Sequence, residues 1–165
     1  AGREAAREEN GRATAGRRPR VIVYLDASAL VKRYVAEAGS PEVEALINEA
    51  QAIGTAVISR AEVAAALARA ARIGLVTREA GAKALQTFNA DWEHLVRLQL
   101  GEPLAARAAA LAWEHGLRGY DSVHLASALA WSESLGETVA VATYDRELWR
   151  GAQASGLSAW PAAAP

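Results

Sequence analysis

From residue 21 to residue 160, short apolar runs alternate with stretches of helical spacing. Val21-Ile22-Val23-Tyr24-Leu25 is uninterrupted and rich in β-branched residues, which predicts a buried strand. Residues 27–37 and 41–52 predict helices, with Gly39-Ser40-Pro41 breaking the chain and setting proline near a first helical position. Thr55-Ala56-Val57-Ile58 predicts a second strand, Ser59 to Arg72 an alanine-rich helix stopped by Gly74, and Thr77 to about Trp92 another helix. His94-Leu95-Val96-Arg97-Leu98 predicts a third strand. Helices follow over 103–115, ended by Gly116, and from Tyr120 to Ser134, ended by Gly136. Thr138-Val139-Ala140-Val141-Ala142 predicts a fourth strand and Arg146 to Ala154 a short helix; Leu157-Ser158-Ala159-Trp160 suits an edge strand before Pro161.

Strand–helix alternation of this kind implies right-handed crossovers between parallel strands. The expected fold is therefore α/β: a single α/β/α sandwich with a mainly parallel central sheet of four to five strands. It should occupy residues 21–161. Residues 1–20 hold six Arg and three Glu and no Val, Ile, Leu or aromatic residue, so a flexible Arg-rich leader is expected there. Residues 162–165 are expected to be a frayed tail.

Composition narrows the chemistry. Of 165 residues 41 are alanine, which suits close-packed helices and leaves Leu, Ile, Val and Trp to fill the core. The net charge is −1 and the leader carries +3, so residues 21–165 carry −4, which does not suggest a strongly basic nucleic-acid binder. Without cysteine there is no disulfide scaffold, thiolate zinc site or cysteine nucleophile. No apolar run approaches a membrane span and no signal peptide is visible, so the cytoplasm is the expected location.

In open α/β sheets ligands bind beyond the carboxyl ends of the strands. Asp26 follows the first predicted strand, Ser59 and then Glu62 the second, Thr143 and Asp145 the fourth, and Asp121 opens a long helix. Each has an ordinary alternative. Asp26, Asp121 and Asp145 suit helix N-caps, and Ser59-Arg60-Ala61-Glu62 fits a capping box. Together they predict a pocket in which four carboxylates cannot all stay ionised without a retained proton or a cation. Oxygen ligands suit Mg²⁺ or Mn²⁺, the few histidines argue against zinc, and such an ion points to phosphate chemistry.

Four segments carry a family resemblance. Val23-Tyr24-Leu25-Asp26-Ala27-Ser28-Ala29-Leu30-Val31-Lys32 resembles the first motif of PIN-domain ribonucleases, and of VapC-type toxins in particular. Ser59-Arg60-Ala61-Glu62-Val63 resembles the second motif, Tyr120-Asp121-Ser122-Val123-His124-Leu125-Ala126-Ser127-Ala128 the third, and Ala142-Thr143-Tyr144-Asp145-Arg146-Glu147-Leu148 the fourth. The resemblance implies metal-dependent RNA cleavage that leaves a 5′-phosphate and a 3′-hydroxyl. Asp26 and Asp121 would be the main metal ligands, Glu62 would hold the metal or position the attacking water, and Asp145 would complete the pocket. Ser28 and Thr143 would hold water or a phosphate oxygen, or satisfy a turn or cap. It further implies a VapB-like antitoxin, a transfer or ribosomal RNA target, inhibition of translation, and a possible homodimer. A PIN nuclease that processes RNA without an antitoxin is the near alternative, and a non-catalytic PIN-like binding module the distant one. A haloacid-dehalogenase-type phosphatase would want a second Asp where Ser28 stands, and a phosphate-accepting receiver domain would want adjacent acids in the first loop.

Outside the motifs, His124 lies on the face of Asp121 and is expected to be a packed histidine with one hydrogen bond. Lys32 and Arg33 suit a solvated helix face, with RNA phosphates or a partner as the alternative. The five Trp are expected mostly as core or interface fillers, and Leu67, Ile73 and Leu75 as an exposed apolar face.

Overall fold

The computed structural model describes residues 21–165, and the predicted leader lies outside them. Ile22–Leu25 forms β1, every residue of it buried. After it come α1 (Ala27–Leu30), a 3₁₀ turn at Val31–Arg33, α2 (Ser40–Glu49), β2 (Ala52–Ala56), α3 (Ser59–Arg72) and α4 (Arg78–Asp91). A second 3₁₀ turn at Trp92–His94 leads to β3 (Val96–Leu98), α5 (Glu102–His115), α6 (Gly119–Leu135), β4 (Ala140–Ala142), α7 (Arg146–Ala154) and β5 (Ser158–Trp160). The strands make one sheet in the order β3-β2-β1-β4-β5, and every neighbouring pair is parallel. The predicted fold class is thus the one observed, with all five strands present.

Alternation along β1 divides the core in two. Val23 and Leu25 pack with Val43, Ile47, Val63, Leu67, Phe88 and Trp92 of the α1–α4 layer. Ile22 and Tyr24 pack with Ala108, Leu111, Leu125, Trp131 and Leu148 of the α5–α7 layer. The chain runs outward from β1 to β2 and β3, then returns to β4 and β5 on the other side of β1. That reversal puts a crevice at the carboxyl ends of β1 and β4.

Several predicted boundaries move, each for a local reason. The second strand is Ala52–Ala56, not 55–58, with Ile22, Val23 and Tyr24 opposite Ala52, Ile53 and Gly54. Gly54 looks like a break in the sequence, but it is a strand residue over which the Trp131 ring lies: a Cβ there would come within 2.5 Å of Trp131 Cζ3. Ile58, β-branched as it is, takes helical angles just before α3. The predicted helix over 27–37 ends at Leu30 and tightens to a 3₁₀ turn. The Lys32 ammonium folds back there onto Glu37 Oε1 (2.9 Å) and the Ala38 carbonyl (2.7 Å), and lies 4.0 Å from the centre of the Tyr144 ring. The third strand begins at Val96 because Trp92–His94 prolongs α4 as a 3₁₀ turn, and the fourth begins at Ala140. In the last residues the Arg146 guanidinium donates twice to the Pro165 carbonyl. No helix among the described residues is long and apolar enough to cross a membrane.

Gly54→Ala is expected to destabilise the fold by about 1–3 kcal/mol, because the indole and β2 must separate. Urea denaturation checks this, with a lower midpoint at unchanged slope expected; an unchanged midpoint would mean that the ring yields freely.

Candidate active site

Asp26 follows β1 directly, and its backbone N–H still donates to the Ala142 carbonyl of β4 (3.2 Å). Its carboxylate caps α1 by accepting from Ala29 N–H (2.9 Å). It also accepts from Ser28 Oγ (2.8 and 2.9 Å) and Thr143 Oγ1 (2.8 Å). Ser28 Oγ in turn accepts from Tyr144 N–H (2.8 Å), and Thr143 Oγ1 from Asp145 N–H (3.0 Å). Each hydroxyl therefore gives its proton to Asp26 and takes one from the β4–α7 turn. Together they bind the ends of β1 and β4 around one carboxylate. Asp26 is only 4% exposed, and burial raises its pKa above the ordinary range, with the nearby His124 and the hydrogen bonds opposing.

Asp145 caps α7 through Oδ1, which accepts from Glu147 and Leu148 N–H (2.9 and 3.0 Å). Its Oδ2 accepts from Arg118 Nη2. Asp121 sits in the first turn of α6 but does not cap it; Arg118 is the residue at the cap. The Arg118 guanidinium donates from Nε to Asp121 Oδ2 (2.7 Å) and from Nη2 to Asp121 Oδ1 (3.3 Å). Arg118 is held even more firmly protonated than usual by Asp121 first, then Asp145, with Glu62 adding to the field. Its charge thus faces three of the four predicted acids.

Glu62 lies in the first turn of α3, and the capping box expected with Ser59 does not form. Ile58 takes the cap position, and Ser59 Oγ bonds Thr55 Oγ1 (2.7 Å). Glu62 Oε2 instead accepts from His124 Nε2 (2.8 Å), whose Nδ1 meets the Tyr24 hydroxyl (2.8 Å). Tyr24 is wholly buried, which pushes its pKa well up and keeps it a phenol, and its oxygen accepts Ala56 N–H (3.1 Å). The Tyr24 hydroxyl and the Glu62 carboxylate thus engage the two ring nitrogens of His124. His124 therefore has two hydrogen bonds, not the one expected, and links Glu62 to the core strand β1.

All four acids thus gather at the carboxyl edge of the sheet. Asp26 and Asp145 are also caps; Glu62 and Asp121 are not. Sequence reasoning missed Arg118, whose only signal is a position three residues before Asp121 at a helix start. Lys32 and Arg33, expected on a solvated face, are engaged within the chain: Lys32 as above, Arg33 with Asp91 (3.1 Å). Leu67 is buried in the core, not exposed, while Ile73 and Leu75 are exposed as expected. Trp92 and Trp131 are core fillers, but Trp113 lies on the surface.

Residues 23–153 match the family described as PIN domain. Ribonuclease VapC45 of Mycobacterium tuberculosis is 39% identical over 141 residues, which cover 86% of this chain and 96% of that protein. Ribonuclease VapC3 of Pyrobaculum aerophilum is 32% identical over 128 residues, covering 76% and 91%. Among solved structures, PAE2754 from Pyrobaculum aerophilum aligns with a TM-score of 0.57 at 25% identity, covering 84% of this chain and 83% of that one. A toxin–antitoxin complex from Klebsiella pneumoniae shares the fold with a TM-score of 0.57 at 16% identity, covering 78% and 91%. The family match spans most of the sheet and all four acids, and the two ribonucleases align over nearly their whole length: the chain belongs to the PIN-domain family, with VapC ribonucleases among its relatives.

Proposed function

We propose that the chain is a Mg²⁺- or Mn²⁺-dependent endoribonuclease and the toxin of a VapBC-type toxin–antitoxin pair. It would inhibit translation by cutting transfer or ribosomal RNA, and a VapB-like antitoxin would restrain it. The observation that carries the reading is that Asp26, Glu62, Asp121 and Asp145 all stand at the carboxyl edge of the sheet, Asp121 and Asp145 joined by Arg118, Glu62 held by His124 and Asp26 buried among hydroxyl donors. The names of the VapC relatives support the RNA substrate, and the Klebsiella complex supports the antitoxin.

The donor set suits a hard divalent cation, being carboxylate oxygens throughout. Among the described residues no three acidic or histidine side chains are placed together to hold an ion, and Arg118 bridges Asp121 and Asp145 instead. Asp26 and Asp121 would hold the cation, with Glu62 and Asp145 completing the pocket. When bound, the cation supplies Lewis acidity toward the phosphodiester and a water. Glu62, fixed through Oε2 by His124, has Oε1 as its second acceptor for the proton of the attacking water. Ser28 and Thr143 orient the Asp26 carboxylate by donating to it, and they oppose the rise in its pKa that burial causes.

Cleaved total RNA should carry 5′-phosphate ends, so a 5′-phosphate-dependent exonuclease should degrade the fragments. Fragments with 5′-hydroxyl and cyclic phosphate ends would contradict the reading, since that chemistry needs no metal. His124→Phe keeps the volume and loses both hydrogen bonds, so it is expected to lower kcat about 10- to 100-fold with the fold retained by circular dichroism. Unchanged kcat would mean that Glu62 needs no such support.

A further inference from the structure

The acidic pocket holds a cation of its own. Arg118 binds both oxygens of Asp121 and the one oxygen of Asp145 that is not occupied in capping α7. The burial of the partners is lopsided: the Asp121 side chain is 11% exposed and that of Arg118 74%. The guanidinium thus closes the pocket from the solvent side. It stands at the cap of α6, outside the first turn, and a Cβ at Gly119 beside it would meet open space. Its departure would break ion pairs but would not open the core.

From this geometry we infer that Arg118 is a displaceable counter-ion of the acidic pocket, whose release accompanies cation loading and so sets the affinity for the divalent cation. The inference rests on the divalent-cation reading above. Its logic is competition for the same atoms. A guanidinium on Asp145 Oδ2 and the two oxygens of Asp121 opposes a metal ion on the same carboxylates, because like charges a few ångströms apart repel. Without metal, the arginine neutralises carboxylates that would otherwise repel one another. With metal, it would swing outward, and its 74% exposure permits this.

The test is calorimetric titration of the whole chain with Mn²⁺, with melting curves in EDTA and in Mn²⁺, for wild type, Arg118→Gln and Arg118→Lys. Arg118→Gln is expected to bind Mn²⁺ about tenfold more tightly. It should melt lower than wild type in EDTA, and gain more from Mn²⁺. Arg118→Lys keeps the charge but loses the two-pronged geometry, so it should bind about threefold more tightly than wild type. Equal or weaker binding by both variants, with wild type binding Mn²⁺, overturns the inference and leaves the divalent-cation reading standing. Should Arg118→Gln not fold, the lysine variant decides alone by the same criterion. No Mn²⁺ uptake by a wild-type protein that still cleaves RNA overturns the reading and the inference together.

Discussion

Asp26→Asn is expected to lower metal-dependent RNA cleavage by about a thousandfold while the protein stays folded. Asparagine is nearly isosteric and can still accept from Ala29 N–H, so α1 keeps its cap. It lacks the charge that a cation needs, and its amide would face Ser28 and Thr143 hydroxyls that already accept backbone protons. The effect on stability is expected to depend on pH. Burial raises the Asp26 pKa in the folded protein, so ionisation disfavours the folded state. The contribution of this carboxyl to stability is whole below its unfolded-state pKa, declines as pH rises from that value through the folded-state one, and stays low above both. Asparagine does not titrate. In EDTA the stability of the variant relative to wild type should therefore rise as pH climbs from about 4 to 7. Melting curves over that range check the sign; a difference independent of pH would contradict the buried charge.

Asp121→Asn is expected to lose about as much activity, and the double variant with Asp26→Asn to lose no more than either alone, since groups that serve one site fail as a unit. Its stability should differ from that of Asp26→Asn, because Asp121 is paired with Arg118 and Asp26 has no such partner. In EDTA, Asp121→Asn should melt lower than wild type. Single-turnover cleavage and melting of the three variants separate the cases. Multiplying losses would mean that the two acids act independently, against a shared pocket.

What the sequence disclosed follows the range of the forces involved. β1 was legible because five consecutive apolar residues ending in Asp fit a buried central strand. Asp26, Glu62 and Asp145 were legible because parallel strands must all deliver their carboxyl ends to one edge, and Asp121 because it opens a long helix. β2 was displaced because Gly54 reads as a break until Trp131, far along the chain, is seen against it. The first helix read too long because nothing local announces that Lys32 turns back onto Glu37 and Ala38. Glu62 read equally well as a capping-box residue. Its real partner, His124, is 62 positions away and is fixed by a tyrosine on β1 a further 100 positions back. Arg118 carried only a helix-start spacing to Asp121, and its second partner, Asp145, comes from the loop after β4. Pairings between distant segments decide how the site is held, and one-dimensional periodicity does not contain them.

The central claim is that the four carboxylates at the sheet edge form a metal-dependent RNA-cleaving site. The most direct measurement incubates total RNA with the purified chain, free of antitoxin, in Mn²⁺ or Mg²⁺ and in EDTA, beside Asp26→Asn. Discrete fragments that need the metal and are missing with the variant are the predicted result. Equal cleavage by Asp26→Asn, or cleavage undiminished in EDTA, would contradict the account.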